Sequence, residues 1–332
     1  MTEMSSPAAD PAAGERPGKI DAVPVRHPGR WVGAALVILL VGMLANLLIT
    51  NDAFHWSFIR QAMVQSPVIH GLLVGTLLVT LVAMVIAVVL GVAVAMMRLS
   101  DNPILRGSGF VFVWFFRAVP RYVLLFLMGT LGVLWPQRMP IGSPFGHQLA
   151  ELFGGSGNWA FTTVDANQIF SGVFCGMLGL GLSEAAYMAE IARAGILSVD
   201  SGQREAASAL GMSNALAMRR VVLPQAMRVI VPPTGNETIA MVKDTSLLIA
   251  VPVTAEMFYQ LQAIGARTYQ TFGISVAAVF WYLIIGSVLM VIQSRVERYF
   301  GRGFGATGAS EKDQATKARL LGLGAGGAGG AR

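Results

Sequence analysis

Long runs without a single charged residue constrain this chain more than any other feature. The stretches 31–51, 71–97 and 272–293 contain no Asp, Glu, Lys or Arg and are dominated by aliphatic side chains. A helix of about 20 apolar residues crosses the hydrocarbon layer of a membrane, so each stretch predicts a transmembrane helix. Of the 332 residues, 54% are hydrophobic and 13% are charged, which excludes an ordinary soluble enzyme.

Three further stretches are long enough to cross the membrane although they contain charges. They are 110–135, 169–191 and 229–251. We therefore predict about six transmembrane helices and an all-α, polytopic membrane fold. The last stretch also contains Pro232 and Pro233, which lack backbone donors, so we expect an interrupted helix that lines a cavity.

The distribution of basic residues predicts the orientation. Eighteen of the 24 Lys and Arg residues fall in alternate loops and the two termini, three fall in the other loops and three within charged stretches. The positive-inside rule then places both termini in the cytoplasm. The first apolar run follows thirty residues that include acids and precedes no small-residue cleavage site, so we expect an uncleaved anchor. Residues 1–29 and 301–332 are rich in small residues and are expected to be disordered.

The charges within the predicted spans allow two interpretations. Ionisable groups in a membrane face a protein interior or a water-filled path. These charges therefore either line a polar route or neutralise one another inside the helix bundle. The neutralising pairs would be Lys243 with Asp244 or Glu237, and Arg193 with Glu190.

Arg117 and Arg121 lie four residues apart and share a helix face, with no acid in their own stretch. They either snorkel towards the cytoplasmic surface or bind a substrate. An amino acid zwitterion needs a cation for its carboxylate and an acceptor for its ammonium group. Either arginine would supply the cation. The acceptors would be Glu184, Glu237 or Asp244.

The predicted inner loop, about 193–228, is too long to be a simple connector. Asp200 or Ser201 is suited to cap a short helix through residues 203–210, which Gly211 would terminate. A second helical piece is predicted over 213–222, ended by Leu223 and Pro224.

The sequence indicates neither metal chemistry nor ATP hydrolysis. Cys175 is the only cysteine, and the four histidines are far apart in sequence, so we expect no disulfide and no metal site. None of the four lysines lies in a phosphate-binding G-x-x-x-x-G-K-[ST] loop. We expect a chain that is not an enzyme and binds no cofactor.

At the inner loop the residues resemble a known family. The segment EAASALGMSNALAMRRVVLP is similar to the EAA signature of ABC importer permeases. The matching residues are Glu205, Ala206, Ala207, Gly211, Leu223 and Pro224. The segments FFRAVPRYVLLF, AAYMAEIARAGILSVDSGQREAA and KDTSLL resemble the polar amino acid uptake subfamily, of the histidine and glutamine permease type. The likeness runs from about Gly71 to Phe300.

The resemblance implies a mechanism shared among several subunits of a bacterial inner membrane transporter. Two permease subunits, identical or related, would form the pathway, and an extracytoplasmic binding protein would deliver the amino acid. Two separate ATPase subunits, which carry the ATP and Mg²⁺, would bind the loop helix and drive alternating access. Residues 71–300 would form the permease domain, and residues 30–70 an additional helix and external segment. The candidate substrate path comprises Arg117, Pro120, Arg121, Glu184, Tyr187, Asn236, Glu237, Lys243, Asp244, Thr245 and Ser246.

The chain also departs from the family pattern. The subfamily more often has Arg-Gly-Thr-Pro where this chain has Arg-Ala-Val-Pro at 117–120, and Arg121 stands where an apolar or amide residue is commoner. The segment 136–167 is long. The alternative function is a secondary amino acid transporter driven by an ion gradient, favoured by the interrupted helix and the buried charges. The sequence identifies neither the amino acid nor the second permease subunit.

Overall fold

The structure is a computed structural model that describes residues 28–134, 139–142, 149, 151–153, 160–165, 172–251 and 253–301. The predictions for 1–27 and 302–332, and much of the long external segment, therefore lie outside the described residues. The chain divides into two units, 1–54 and 55–332. In the first, helix α1 (Pro28–Thr50) covers the first predicted span.

The second unit consists mainly of helices. They are α2 (Trp56–Met63), α3 (Ser66–Gly71), α4 (Val79–Leu99), α5 (Pro103–Ala118), α6 (Arg121–Thr130), α7 (Gly172–Leu197), α8 (Ser201–Ala209), α9 (Asn214–Ala217), α10 (Leu223–Asp244), α11 (Met257–Thr268) and α12 (Thr271–Phe300). π-helical turns occupy Leu72–Leu78 and Met218–Val222, and 3₁₀ turns occupy Leu131–Leu134 and Thr245–Ala250. Two short strands, β1 (Met139–Gly142) and β2 (Ala160–Val164), pair antiparallel between α6 and α7.

The all-α, polytopic fold is confirmed. Among the described residues, four helices are long and apolar enough to cross a membrane: Gly29–Thr50, Ser66–Leu99, Gly172–Leu197 and Thr271–Phe300. The pair α5 and α6 forms a fifth if it is counted as one span. The predicted stretch 229–251 is largely helical as α10, but it is not in that set. Six is therefore an approximate count.

The predicted third span is not one straight helix. Its two halves, α5 and α6, meet at an angle of 101°. Val119 has an extended backbone, with φ −85° and ψ 128°, because the residue before a proline is driven out of the helical region. Pro120 then starts α6 with a fixed φ of −58°. The bend puts Arg117 and Arg121 on different helices, so they do not share the helix face that their spacing predicts.

Helix α10 corrects two expectations about chain breaks. It continues through Pro232 and Pro233, and Leu223 and Pro224 begin it rather than end the preceding piece. The donors missing at the two prolines would bond the carbonyls of Arg228 and Val229, and both of these residues are exposed. Val222 has helical backbone and the π-helical turn Met218–Val222 leads directly into α10, so helical structure continues past Leu223 and Pro224. The regular helix gives way instead after Asp244, where the 3₁₀ turn begins.

The packing of α4 against α7 forms the centre of the second unit. Gly91 makes this approach possible, because a Cβ there would lie 2.5 Å from Cβ of Met188 and 3.0 Å from the carbonyl oxygen of Ala185. Buried Val79, Leu125 and Leu180 belong to the apolar cluster around this contact. Helices α4 and α7 are therefore held in close contact.

Candidate functional site

Helix α8 presents the predicted coupling residues on the surface of the loop. Asp200 caps it by accepting a hydrogen bond from the backbone N of Gly202 at 2.8 Å, as predicted. Glu205 and Ala206 are exposed, whereas Ala207 is buried. Gly211 ends the turn with φ +75°, a left-handed conformation that other residues rarely adopt. The loop thus offers a short, small-residue helix with an exposed carboxylate.

Leu223 and Pro224, the other two predicted coupling residues, are exposed at the start of α10. Helix α8 packs against the π-helical turn just before them. Buried Val222 in that turn belongs to one apolar cluster with Ile196 and Ala226. The loop is consequently anchored to the ends of both α7 and α10, the two helices that carry the candidate acids.

Three of the predicted path residues meet in one ionic cluster, which we call the central cluster: Arg121, Glu184 and Asp244. Nη2 of Arg121 on α6 donates to Oε2 of Glu184 on α7 at 2.5 Å, and Nη1 donates to Oδ2 of Asp244 on α10. Glu184 is fully buried, and its other oxygen, Oε1, has no hydrogen-bond partner among the described residues. One guanidinium thus holds two carboxylates from two other helices.

Tyr187 borders the central cluster. The guanidinium carbon of Arg121 lies 4.9 Å from the Tyr187 ring centroid, and that of Arg117 lies 5.3 Å from it. Both distances suit cation–π attraction. Arg117 is exposed and forms no ion pair with the described residues. Of the two candidate arginines, Arg121 therefore pairs with the acids of the central cluster, whereas Arg117 contacts the ring of Tyr187.

The remaining charged candidates lie on α10. Glu237 is half-buried and close enough to repel the charge on Glu184. Lys243 is exposed, and its predicted pairing with Asp244 or Glu237 is not found among the described residues, because Asp244 pairs with Arg121. Arg121 pairs with Glu184 and Asp244, and Glu237 adds a third negative charge near Glu184. The acids therefore outnumber the ion-paired cation, which favours a cationic group as ligand.

The uncharged candidates have local hydrogen bonds. Pro120 precedes α6 and sets its start. Asn236 accepts from Nε2 of Gln293 at 2.8 Å. Buried Thr245 donates to the carbonyl of Val242 at 2.8 Å, and Ser246 donates to that of Lys243 at 2.7 Å. Thr245 and Ser246 follow Asp244 directly, and Pro120 directly precedes Arg121, so these three lie beside the central cluster in sequence.

The predicted pair of Glu190 with Arg193 is confirmed, with Nε of Arg193 lying 3.3 Å from Oε2 of Glu190. The sequence interpretation missed a third member, Arg98 on α4, whose Nη1 pairs with Oε1 of the same carboxylate. The residues around Arg98 in the sequence do not indicate this ion pair, because its partner Glu190 lies more than ninety residues away. The pair supports helix packing, since it joins α4 to α7.

A buried carboxylate, Glu256, was also missed. It caps α11 by accepting from the backbone N of Tyr259 at 2.9 Å, and its Oε1 accepts from Thr76 at 3.1 Å and Tyr282 at 3.3 Å. Burial raises the pKa of Glu256 to about 7. An acid just before an amphipathic helix was the available signal in the sequence. Its contacts tie the π-helical turn before α4 to α11 and α12.

Comparison with known proteins gives a family and several similar permeases. Residues 87–302 match the family described as binding-protein-dependent transport system inner membrane component. The chain is 39% identical over 293 residues to the arginine transport system permease protein ArgU of Corynebacterium glutamicum, covering 88% of this chain and 86% of ArgU. It is 33% identical over 213 residues to the probable amino-acid permease protein YxeN of Bacillus subtilis, covering 64% and 81%.

A solved structure is similar as well. It is described as an amino acid ABC transporter with histidines, and the match has a TM-score of 0.53 and 29% sequence identity. The match covers 70% of this chain and 94% of that one. The likeness therefore includes most of the second unit.

Proposed function

Because this chain belongs to the family of binding-protein-dependent transport system inner membrane components, we propose that it moves a polar amino acid past the central cluster by alternating access. The chain is a multi-pass membrane protein and a permease subunit of an ABC amino acid importer. Family membership gives no support to the alternative of a secondary transporter. The main support for the proposed path is that Arg121 forms ion pairs with both Glu184 and Asp244.

The central cluster is suited to bind a charged amino acid reversibly. Oε1 of Glu184 is a buried acceptor without a partner among the described residues, so an ammonium or guanidinium group would gain a strong charge-assisted hydrogen bond there. Arg121 is held between two acids, and a substrate carboxylate would compete with them for its guanidinium. Helix movement that separates α6, α7 or α10 would change these contacts together.

A cationic amino acid fits this site best. Glu184, Glu237 and Asp244 outnumber the one paired cation, Arg121, and the ring of Tyr187 adds a face suited to a guanidinium. The name of the Corynebacterium glutamicum relative, an arginine permease, agrees with that choice. We expect arginine or lysine to be carried in preference to glutamine.

The exposed α8 loop supports a position for an ATPase partner, and the family supports the other partners. We place an ATPase subunit, with its ATP and Mg²⁺, against the exposed face of α8, a second permease subunit beside this one, and a binding protein on the opposite side of the membrane. Both termini would then lie in the cytoplasm, in keeping with the basic residues of that side. Closure of two ATPase subunits would draw the α8 loops together.

Uptake of labelled arginine by reconstituted transporter tests the path. Glu184→Gln and Asp244→Asn should each reduce uptake at least about tenfold, the loss of roughly one charge-assisted hydrogen bond. Asp101→Asn is the matched control, since Asp101 is an exposed acid in the α4–α5 turn, and it should leave uptake unchanged. Normal uptake by both site variants would refute the path, and equal competition by glutamine and lysine would refute the cationic preference.

A further inference from the structure

A basic groove lies where α4 turns into α5. The turn is short, and Asn102 caps α5 by accepting from the backbone N of Ile104 at 2.9 Å. Gly109 on α5 allows the stem of Arg98 to pack closely, because a Cβ there would lie 2.8 Å from Cγ of Arg98. We call the groove lined by Arg98, Arg106, Phe110, Trp114, Arg117 and Arg193 the arginine groove.

The arginine groove has more positive than negative charge. Arg98 and Arg193 share one carboxylate, that of Glu190, which is the only acid lining the groove in the described part of the chain. Arg106 and Arg117 form no ion pair with the described residues, and both are exposed. The charge of Arg98 is also repelled by Arg193 and Arg117. An anion would relieve this repulsion.

The groove has space for such an anion. Two adjoining cavities, of about 430 and 490 Å³, share Arg98 and Phe110 in their walls. The guanidinium carbon of Arg98 lies 5.8 Å from the centroid of the Phe110 ring, so its orientation is restrained. Guanidinium groups bind phosphate with paired hydrogen bonds, so the arrangement suits a phosphate.

The aromatic side of the groove favours a lipid as the source of that phosphate. Phe110 and Trp114 are 56% and 60% exposed on α5, which belongs to the bent candidate span. Exposed aromatic rings beside arginines are typical of the level of lipid headgroups, and basic pockets between membrane helices bind anionic headgroups. The neighbouring apolar residues Val111 and Phe115 are also exposed, where acyl chains would lie.

We propose that the arginine groove binds the phosphate of an anionic phospholipid, such as phosphatidylglycerol, at the end of the bundle that carries α8. The bound headgroup would bridge Arg106 on α5 to Arg98 on α4 and Arg193 on α7. None of these three arginines belongs to the candidate substrate path; Arg117 is the one residue that the groove and the path share. Lipid binding would hold together three helices whose basic side chains otherwise repel one another.

Native mass spectrometry of the full-length chain in detergent tests this proposal. The delipidated chain is mixed with phosphatidylglycerol or phosphatidylcholine, and the lipids retained per chain are counted over a concentration series. We expect one tightly held phosphatidylglycerol, with an apparent affinity about tenfold weaker for Arg106→Gln and for Arg98→Gln, the equivalent of roughly one guanidinium–phosphate pair. Arg295→Gln removes an exposed arginine near the end of α12 and should change nothing.

Two further measurements identify the ligand and exclude misfolding as the cause of weaker binding. Arg106 is exposed and makes no ion pair among the described residues, so its variant should keep the wild-type melting temperature even if that of Arg98 does not. Glycerophosphoglycerol, the headgroup without acyl chains, should fail to displace the lipid. Displacement by it at equal concentration would indicate a free phosphate ligand and overturn the lipid assignment. Equal retention of both lipids, or unchanged affinity in Arg106→Gln and Arg98→Gln, would refute the site.

Discussion

Nη2 of Arg121 lies 2.5 Å from Oε2 of Glu184, a carboxylate with no solvent exposure, although the two residues are 63 positions apart. The contact exists because the chain bends at Pro120 and so starts α6 beside the middle of α7. Asp244 completes the arrangement from α10. The central cluster therefore depends on the packing of three helices, and changes in it should affect stability and transport together.

Removing Arg121 should destabilise the chain more than removing it together with its buried partner. Arg121→Gln leaves the Glu184 charge buried without compensation, which costs about 3 kcal/mol or more. Arg121→Gln with Glu184→Gln leaves neutral groups that can still form a hydrogen bond. A double-mutant cycle on detergent unfolding should give a coupling of about 1–3 kcal/mol. Strictly additive effects would show that the contact contributes nothing to stability.

Glu205→Lys should prevent association with the ATPase while the membrane fold stays intact. Glu205 is exposed on α8, so charge reversal removes a contact available to a partner without disturbing the core. Co-purification of ATPase with the tagged permease measures the effect, and we expect recovery to fall at least about tenfold. Asn214→Lys, an exposed position in the next helix, is the control. Full ATPase recovery with Glu205→Lys would contradict the docking role of α8.

Gly75→Ala should destabilise the contact between the π-helical turn and the segment before α11. A Cβ at Gly75 would lie 2.1 Å from the carbonyl oxygen of Ala255 and 2.3 Å from Cα of Glu256. Backbone atoms cannot move aside cheaply, so we expect a loss of about 3 kcal/mol or more, or failure to accumulate in the membrane. Gly286→Ala on α12 meets nothing within 4 Å and should be neutral. Equal thermal stability of the two variants would refute this close approach.

The stability of the chain should fall as the pH rises towards 7, and Glu256 should be a cause. Burial raises its pKa from 4.5 to about 7, so the folded chain binds a proton that the unfolded chain has already released in this window. The stabilisation is complete below about pH 4.5 and is lost as the pH rises through about 7, by up to about 3 kcal/mol.

Glu256→Gln separates this effect from other titrations. Its amide is neutral at all these pH values, so the melting temperature of the variant should vary less between pH 5 and 8 than that of the wild type. Thr76→Ser, which keeps the hydroxyl donor to Glu256, should retain the wild-type profile. If the variant and the wild type show parallel profiles, Glu256 does not titrate in this range.

Features set by neighbouring residues were predictable from the sequence. The apolar runs led to the membrane helices, because about 20 apolar residues in succession have few alternatives to a membrane span. The cap at Asp200, helix α8 and the left-handed Gly211 were also predictable, since capping and chain reversal depend on hydrogen bonds within a few residues. The order of motifs indicated the family for the same reason, as it needs no contact between distant segments.

Only the tertiary structure decided which charges meet. From the sequence, Arg117 and Arg121 were equivalent candidates, and Lys243 was a possible partner of Asp244. In the structure, the bend at Pro120 places Arg121 where it pairs with both Glu184 and Asp244. It likewise brought Arg98 to Glu190. The continuity of α10 through Pro232 and Pro233 also followed only from the structure, because the sequence does not show that the turn before them is exposed. Ion pairs and the exposure of a helix turn depend on how helices pack across long sequence separations, whereas spans and caps depend on local residue order.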